Sequence, residues 1–157
     1  MTISYVSGYT DNSVKPRGNI TRYETAVMFY NLVLDENKEA FEGVTIEFSD
    51  VEEGKWYSDA VELLSAAGIL MGYEDGTFRG DATISRAEFA TITSRFTGLL
   101  LDGELPFSDV PDGHWAYDYI LTAYNNDWIT GYTDGTFGPG KMIIRAEAFA
   151  ITNRILG

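Results

Sequence analysis

The sequence predicts an all-α, mostly helical fold built from tandem helix–loop–helix units. Three observations lead to this prediction: the 157-residue chain repeats itself, its apolar residues recur at helical spacing, and turn dipeptides separate the helical stretches. Because a two-helix unit is too small to bury its own apolar stripe, we expect the units to pack on one another.

The repeat is clearest in two units that align without a gap at an offset of 59 residues. FSDVEEGKWYSDAVELL begins at Phe48, and FSDVPDGHWAYDYILTA begins at Phe107. A related loop, GYTDNSVKPRGNITRYE, begins at Gly8, 64 residues before its counterpart GYEDGTFRGDATISRAE. We therefore expect one domain over 1–157 with a partial first unit (1–34), a second (48–100) and a third (107–157). Residues 35–47 and 97–106 are expected to be connectors.

The first helix of each full unit carries an apolar stripe at positions i, i+3, i+4 and i+7. In the second unit the stripe is Tyr57, Ala60, Val61 and Leu64, and in the third it is Ala116, Tyr119, Ile120 and Ala123. Gly68 is a typical stop after such a helix, and Asp127 occupies its place in the third unit.

The second helix of each unit follows an Asp-Gly turn in units two and three, at Asp75 and Asp134. Its stripes are Thr25, Met28, Phe29 and Leu32; Phe89, Ile92, Thr93 and Phe96; and Ala148, Ile151, Thr152 and Ile155. Thr21 with Glu24, and Ser85 with Glu88, fit the capping box at the start of these helices. Ile144 has no capping side chain, so the third of these helices is expected to start less firmly.

Three arginines, Arg22, Arg86 and Arg145, stand in the first turn of these helices. The helix dipole disfavours a cation there by about 0.3–1 kcal/mol, so a threefold occurrence indicates a use. One interpretation is a site for a carboxylate or phosphate, formed by the arginine fork and the amides that a helix start leaves unbonded. The alternative is an ion pair that fastens the loop to a neighbouring acid such as Asp75 or Asp134.

Repeated aromatic residues supply a second set of candidates. Trp56 and Trp115 stand at the mouth of a helix, where a tryptophan is more often a core anchor, although the same ring could present a face to a sugar. Tyr73 and Tyr132 follow a glycine in each loop. Loop packing is the simpler interpretation for these two, and contact with a carbohydrate is the other.

Several classes of function are disfavoured by composition. A net charge of −13 argues against a nucleic-acid partner, and the apolar runs are too short for membrane insertion. Cysteine is absent and His114 is the single histidine, which leaves no catalytic triad and no thiolate metal site. We expect no enzyme activity, cofactor or metal. The first residues, Met1 to Ser4, do not form a secretion signal.

The combined pattern FSDV…W…AV…L…GI…GY.DGTF…I[ST]RAE resembles the S-layer homology motif, and it covers nearly the whole chain. The resemblance implies three motifs around a pseudo-threefold axis. It also implies a non-catalytic bacterial module at the extracellular cell surface, with a signal peptide outside this chain. The implied partner is an anionic cell-wall polysaccharide, often bearing pyruvate ketals, which the motif arginines Arg22, Arg86 and Arg145 would meet.

The first unit departs from this pattern because it lacks the FSDV…W half and has Asn12-Ser13-Val14 in place of Gly-Thr-Phe. Its groove is therefore the one that departs most from the family pattern. We expect its second helix to lack a packing partner, which predicts self-association or an upstream helix as the cover. Phe41, Val44 and Ile46 of the connector are the local alternative. Two other functions stay open: a structural assembly module of a surface layer, and the anchor of an enzyme whose catalytic domain lies outside this chain.

Overall fold

Residues 13–157 are described by a computed structural model, and within them the chain forms six helices and no β-strand. The helices are α1 (Arg22–Tyr30), α2 (Asp35–Glu39), α3 (Ser58–Ala66), α4 (Arg86–Thr97), α5 (Tyr117–Asn125) and α6 (Arg145–Leu156). This confirms the predicted mostly helical class. In this part of the chain, no helix is long and apolar enough to span a bilayer.

The described residues divide into two compact units. The first contains residues 13–15 and 20–83, and the second contains residues 16–19 and 84–157. In the first unit α1 packs against α3, and in the second α4 packs against α5. Each pair therefore joins the second helix of one sequence repeat to the first helix of the next repeat.

The predicted apolar stripes form the core of each unit. In α1, Thr25, Met28 and Phe29 are buried, whereas the predicted Leu32 lies after the end of the helix and is half-buried. In α4, Phe89 and Ile92 are buried and Phe96 is half-buried. Their partner helices contribute the predicted residues as well, which are Ala60, Val61 and Leu64 in α3 and Ile120 and Ala123 in α5. Each large apolar side chain removed from water stabilises the fold by about 1.5–3 kcal/mol, so these stripes hold the helix pairs together.

The expectation that α1 would lack a packing partner is wrong, because α3 from the following repeat covers its apolar stripe. The reason given for self-association disappears with it. Of the three connector residues predicted as a local cover, Val44 and Ile46 remain exposed and Phe41 is half-buried, so the connector provides little of the cover. Instead, the connector contains the short helix α2, which has Asp35 and Glu36 in its first turn and Lys38 in its last, as the helix dipole favours.

The helix starts agree with the sequence in their side-chain caps. Thr21 and Glu24 form a complete capping box at α1, and the Ser85 hydroxyl accepts the Glu88 amide N–H at 3.1 Å. Ile144 provides no side-chain cap, yet α6 still begins at the residue after it. Another set of bonds must therefore secure the start of α6.

Backbone carbonyls of the loops supply those bonds at all three helices. The first two amides of α1 donate to Ala82 O and Gly80 O, both at 2.9 Å; those of α4 donate to Lys141 O and Pro139 O at 2.8 and 3.1 Å; and those of α6 donate to Gly18 O and Pro16 O at 2.8 and 2.9 Å. The sequence interpretation that helix-start amides wait for an anion is wrong, because these amides are already bonded within the chain.

Candidate functional site

Two loops with the same internal structure carry most of the candidate residues; we call them loop 2 (residues 71–82) and loop 3 (residues 130–141). The amide of Tyr73 donates to Thr77 O at 2.8 Å, and the amide of Tyr132 donates to Thr136 O at 2.7 Å. Between them, Gly76 and Gly135 have φ angles of 79° and 84°. These left-handed positions confirm the predicted Asp-Gly turns.

The aspartates of these turns bond to the loop itself. Asp75 accepts the amide N–H of Thr77 at 3.0 Å and its hydroxyl at 2.6 Å, and Arg79 also donates to it at 2.9 Å. Hydrogen bonds from Thr77 and Arg79 lower the pKa of Asp75 to about 2. Asp134 has the same bonds from Thr136, which lower its pKa too. Asp75 and Asp134 are therefore not the acids that pair with the motif arginines, although the ion-pair alternative itself holds for Arg86, whose partner is Glu147.

A second pair of aspartates, Asp50 and Asp109, ties each loop to the segment before the first helix. Asp50 accepts the amides of Phe78 and Arg79 at 2.7 and 2.8 Å, and Asp109 accepts the equivalent two amides of loop 3 at 2.8 Å each. Burial would raise the pKa of Asp109, but these backbone bonds outweigh it and lower that pKa overall. Sequence analysis did not single out these residues, although their place in both FSDV stretches was the available signal.

The motif arginines Arg22 and Arg86 clamp the loops from the other side. Arg22 donates from Nε to Phe78 O at 2.8 Å and from Nη2 to Met71 O at 2.6 Å. Arg86 repeats this arrangement in loop 3, with bonds of 2.9 Å to Phe137 O and 2.7 Å to Thr130 O. Each arginine thus holds the loop of the following repeat, whereas the sequence alignment had placed Arg86 with the loop of its own repeat.

Both arginines are almost fully buried, with 4% of each residue exposed, and they stack on aromatic rings. The guanidinium carbon of Arg22 lies 5.1 Å from the Tyr73 ring centroid, and that of Arg86 lies 4.9 Å from the Tyr132 centroid. Arg86 also forms an ion pair with Glu147. A buried cation needs such partners because its desolvation is costly, so the two arginines are built into the loop structure.

Arg145 is buried like its counterparts, at 3% exposure, and its guanidinium carbon lies 5.2 Å from the Phe149 ring centroid. In the first repeat, the counterpart of loop 2 is 7–18, and residues 7–12 of it lie outside the described residues. The predicted role of Arg22, Arg86 and Arg145 in ligand binding stays a prediction.

The tryptophans lie at the surface, and the core-anchor interpretation is wrong. Trp56 is 65% exposed and Trp115 is 61% exposed. Beneath Trp56, Tyr23 and Tyr57 stack with ring centroids 3.6 Å apart, and Tyr23 is buried with its amide bonded to loop 2. The tyrosine pair thus takes the packing role that was predicted for the indole.

The structure brings some predicted site residues together. Arg22 contacts Tyr73 at loop 2. Trp56 is linked to them through Tyr23, and the Trp56 and Tyr23 ring centroids are 6.1 Å apart. Arg86 and Tyr132 meet in loop 3, while Trp115 lies beside His114 at 5.8 Å. His114 Nδ1 accepts the Ala116 amide N–H at 3.1 Å at the start of α5. Among residues 13–157, no group of three or more acidic or histidine side chains has the arrangement of a metal site.

Comparison with known proteins identifies the family to which this sequence is similar. The sequence model described as "S-layer homology domain" matches residues 4–26, 47–90 and 106–149. The chain is 38% identical over 97% of its length to the "Cellulosome-anchoring protein" of Acetivibrio thermocellus, and 34% identical over 96% to the "Exoglucanase XynX" of the same organism. It spans 35% and 14% of those relatives. The "Surface-layer 125 kDa protein" of Lysinibacillus sphaericus is 38% identical over 59% of this chain, which spans 8% of that protein.

Proposed function

Since the chain belongs to the S-layer homology family, we propose that it is a non-catalytic module that anchors a bacterial protein to the cell surface by binding an anionic cell-wall polysaccharide. The three matched segments and the anchoring and surface-layer relatives support the anchoring role. A pseudo-threefold arrangement of the motifs belongs to this proposal, and the same pair of carbonyl bonds at each of the three helix starts supports it.

The observation that carries the carbohydrate part is the exposure of the repeated tryptophans. An indole that leaves 65% or 61% of its residue surface in water at the same place in two repeats forgoes burial that would stabilise the fold. Such a ring offers a flat apolar face with an N–H donor, which suits the mixed polar and apolar surface of a sugar. Tyr73 and Tyr132, both partly exposed in their loops, extend this surface.

We propose that the glycan contacts Trp56 and Tyr73 at loop 2 and Trp115 and Tyr132 at loop 3. Arg22 and Arg86, which lie against the two tyrosine rings, contribute positive charge to these sites. Arg145 is the corresponding arginine of the remaining groove. Carboxylate-bearing sugars, such as pyruvate ketals, fit the cationic character that the arginines give these sites. The chain has only 11 lysines and arginines against 24 acidic residues, so the positive charge at these sites comes from the few basic residues around each loop.

Cosedimentation with purified cell-wall sacculi tests the proposal. The parent chain should bind, and chemical removal of the wall polysaccharide should abolish binding. Trp56→Ala with Trp115→Ala should weaken it by roughly 30-fold, which corresponds to a hot-spot contribution of about 2 kcal/mol. Leu100→Ala is the control, because this side chain is similarly exposed but lies outside both loops. Binding that survives removal of the polysaccharide would contradict the carbohydrate proposal.

The relative named as an exoglucanase favours a second, compatible role, in which the anchored cargo is an enzyme. The match covers nearly all of this chain but only 14% of that relative. If the cargo is an enzyme, a longer protein containing this module should show activity that sediments with sacculi, and deletion of residues 13–157 should leave the activity in the supernatant. Coverage of the α1 stripe within the chain removes the argument for self-association, and the role in assembly with other surface proteins stays an alternative.

A further inference from the structure

An exposed cation lies over the tyrosine of each loop, in addition to the buried motif arginine. The Arg79 guanidinium carbon is 3.9 Å from the Tyr73 ring centroid, and Lys141 Nζ is 4.2 Å from the Tyr132 centroid. The Arg79 side chain is 51% exposed, and Lys141 is exposed as well. Both cations can therefore reach a ligand in solvent without leaving the ring, which the buried Arg22 and Arg86 cannot do.

The two cations come from different positions of the repeat. At the offset of 59 residues, Arg79 aligns with Gly138, and Lys141 aligns with Ala82. Each loop thus has a small residue where the other has its cation. Two loops that place a cation on the same ring by different residues indicate that the cation itself is needed, rather than one inherited residue.

The backbone at Arg79 supports the same conclusion. Its φ angle is 55°, in the left-handed region where glycine is favoured, and Gly138 has a φ of 69° at the aligned position. Lys15, the aligned residue of the first repeat, has a φ of 42° and is also basic. A long basic side chain kept at a position that favours glycine is typical of a functional residue.

Both cations also keep donors for a ligand. Arg79 has five N–H donors, and two of them serve its bonds to Asp75 and Thr77. Lys141 forms no ion pair with any residue in the described part of the chain, although its charge contributes to the lowered pKa of Asp134, and its ammonium group contacts the Tyr132 ring. By contrast, Arg86 already uses its guanidinium on two carbonyls and Glu147.

We propose that Arg79 and Lys141 make the direct contact with a carboxylate of the bound glycan, and that Arg22 and Arg86 are positioning residues that hold the loops. This inference rests on the proposed polysaccharide binding and names its anion-contacting residues. The ligand class is a sugar that bears a carboxylate, recognised by an exposed cation that is fixed on an aromatic face.

The two loops themselves supply the test substitutions, because each variant takes the residue that the other loop has. Arg79→Gly copies Gly138, and Lys141→Ala copies Ala82. The double variant should bind sacculi about ten- to a hundred-fold more weakly, the range expected for a charge-assisted contact. Circular dichroism should show a folded protein, because glycine suits the left-handed backbone. Lys38→Ala is the matched control, since Lys38 also lies over a tyrosine, Tyr30, and pairs with an aspartate, but belongs to α2.

Carboxylate reduction of the purified polysaccharide gives a second readout. The parent should lose affinity to the level of the double variant, and the double variant should lose little more. If the parent binds native polysaccharide and the folded double variant binds equally well, this inference is overturned while the proposed function stands. The inference would also be overturned if carboxylate reduction lowered the affinity of the parent and of the double variant by the same factor. If the parent itself does not bind, the proposed function fails instead.

Discussion

Replacing Arg86 by alanine should destabilise the second compact unit strongly. The substitution removes the two bonds to Phe137 O and Thr130 O and leaves Glu147 without its ion-pair partner. Each hydrogen bond from a charged donor contributes about 1.5–3 kcal/mol. The ion pair adds less than a fully buried pair would, because 34% of the Glu147 side chain is exposed and water can solvate it after Arg86 is removed. These contributions overlap, so we expect a loss of about 3–5 kcal/mol.

That loss is a large share of the roughly 5–15 kcal/mol by which domains are stable. For a chain of this size, each kcal/mol lowers the melting temperature by about 2–4 °C, so Arg86→Ala should melt roughly 6–20 °C below the parent. Thermal unfolding followed by circular dichroism measures the shift. Arg86→Lys should recover only part of it, because an ammonium group cannot donate to both loop carbonyls in the geometry of the guanidinium fork.

Arg154→Ala is the matched control, because this more exposed arginine donates one bond, to Trp128 O at 2.9 Å. Its loss should be about 0.5–1.5 kcal/mol. An Arg86→Ala protein that melts with the parent but no longer binds sacculi would refute the loop-clamp reasoning and place this arginine at the ligand.

Two further predictions concern the loops. Because backbone hydrogen bonds lower the pKa of Asp109, its ionised form stabilises the fold above the ordinary carboxyl pKa, and this stabilisation should be lost as the pH falls below about 4. Between about pH 5 and pH 3, the urea midpoint should therefore fall less in Asp109→Asn than in the parent. Equal falls in the two proteins would show that Asp109 is not the group responsible. Gly131→Ala should destabilise more than Gly135→Ala in the same urea assay, because a Cβ at Gly131 would lie 2.1 Å from the Phe107 ring, whereas one at Gly135 meets no atom within 4 Å and suffers only from a φ of 84°. Equal losses would mean that the Phe107 ring moves aside.

Local patterns were predictable from the sequence because their causes are local. The stripe that contains Met28 and Phe29 follows from helical periodicity, and the cap at Thr21 follows from residues three positions apart. The left-handed residues after α3 and α5, Gly68 at 71° and Asp127 at 58°, follow from the need to end a helix. None of these features depends on which helix packs against which.

Helix pairing was not predictable in this way, because α1 and α3 carry compatible stripes without any mark of partnership. The sequence shows that Arg22 and Arg86 are unusual. Their hydrogen bonds go to backbone carbonyls, however, and no residue type marks a carbonyl as an acceptor. The exposure of Trp56 has a related cause, since the buried Tyr23 and the half-buried Tyr57 that stack beneath it come from different repeats. Long-range contacts decided each of these cases.

Arg22 holds loop 2 and Arg86 holds loop 3, and these contacts determine at which residues a segment can be cut out and joined to another protein without losing its structure. A segment cut at the boundaries of the sequence repeat, such as 48–100, would contain loop 2 without Arg22, which secures it. It would also contain Arg86 without loop 3, to which Arg86 bonds. A segment that runs from one such arginine to the end of the next loop, as residues 22–82 do, keeps the clamp, the carbonyls and the α1–α3 pair together. The transferable module is therefore shifted by half a repeat from the motif that is visible in the sequence.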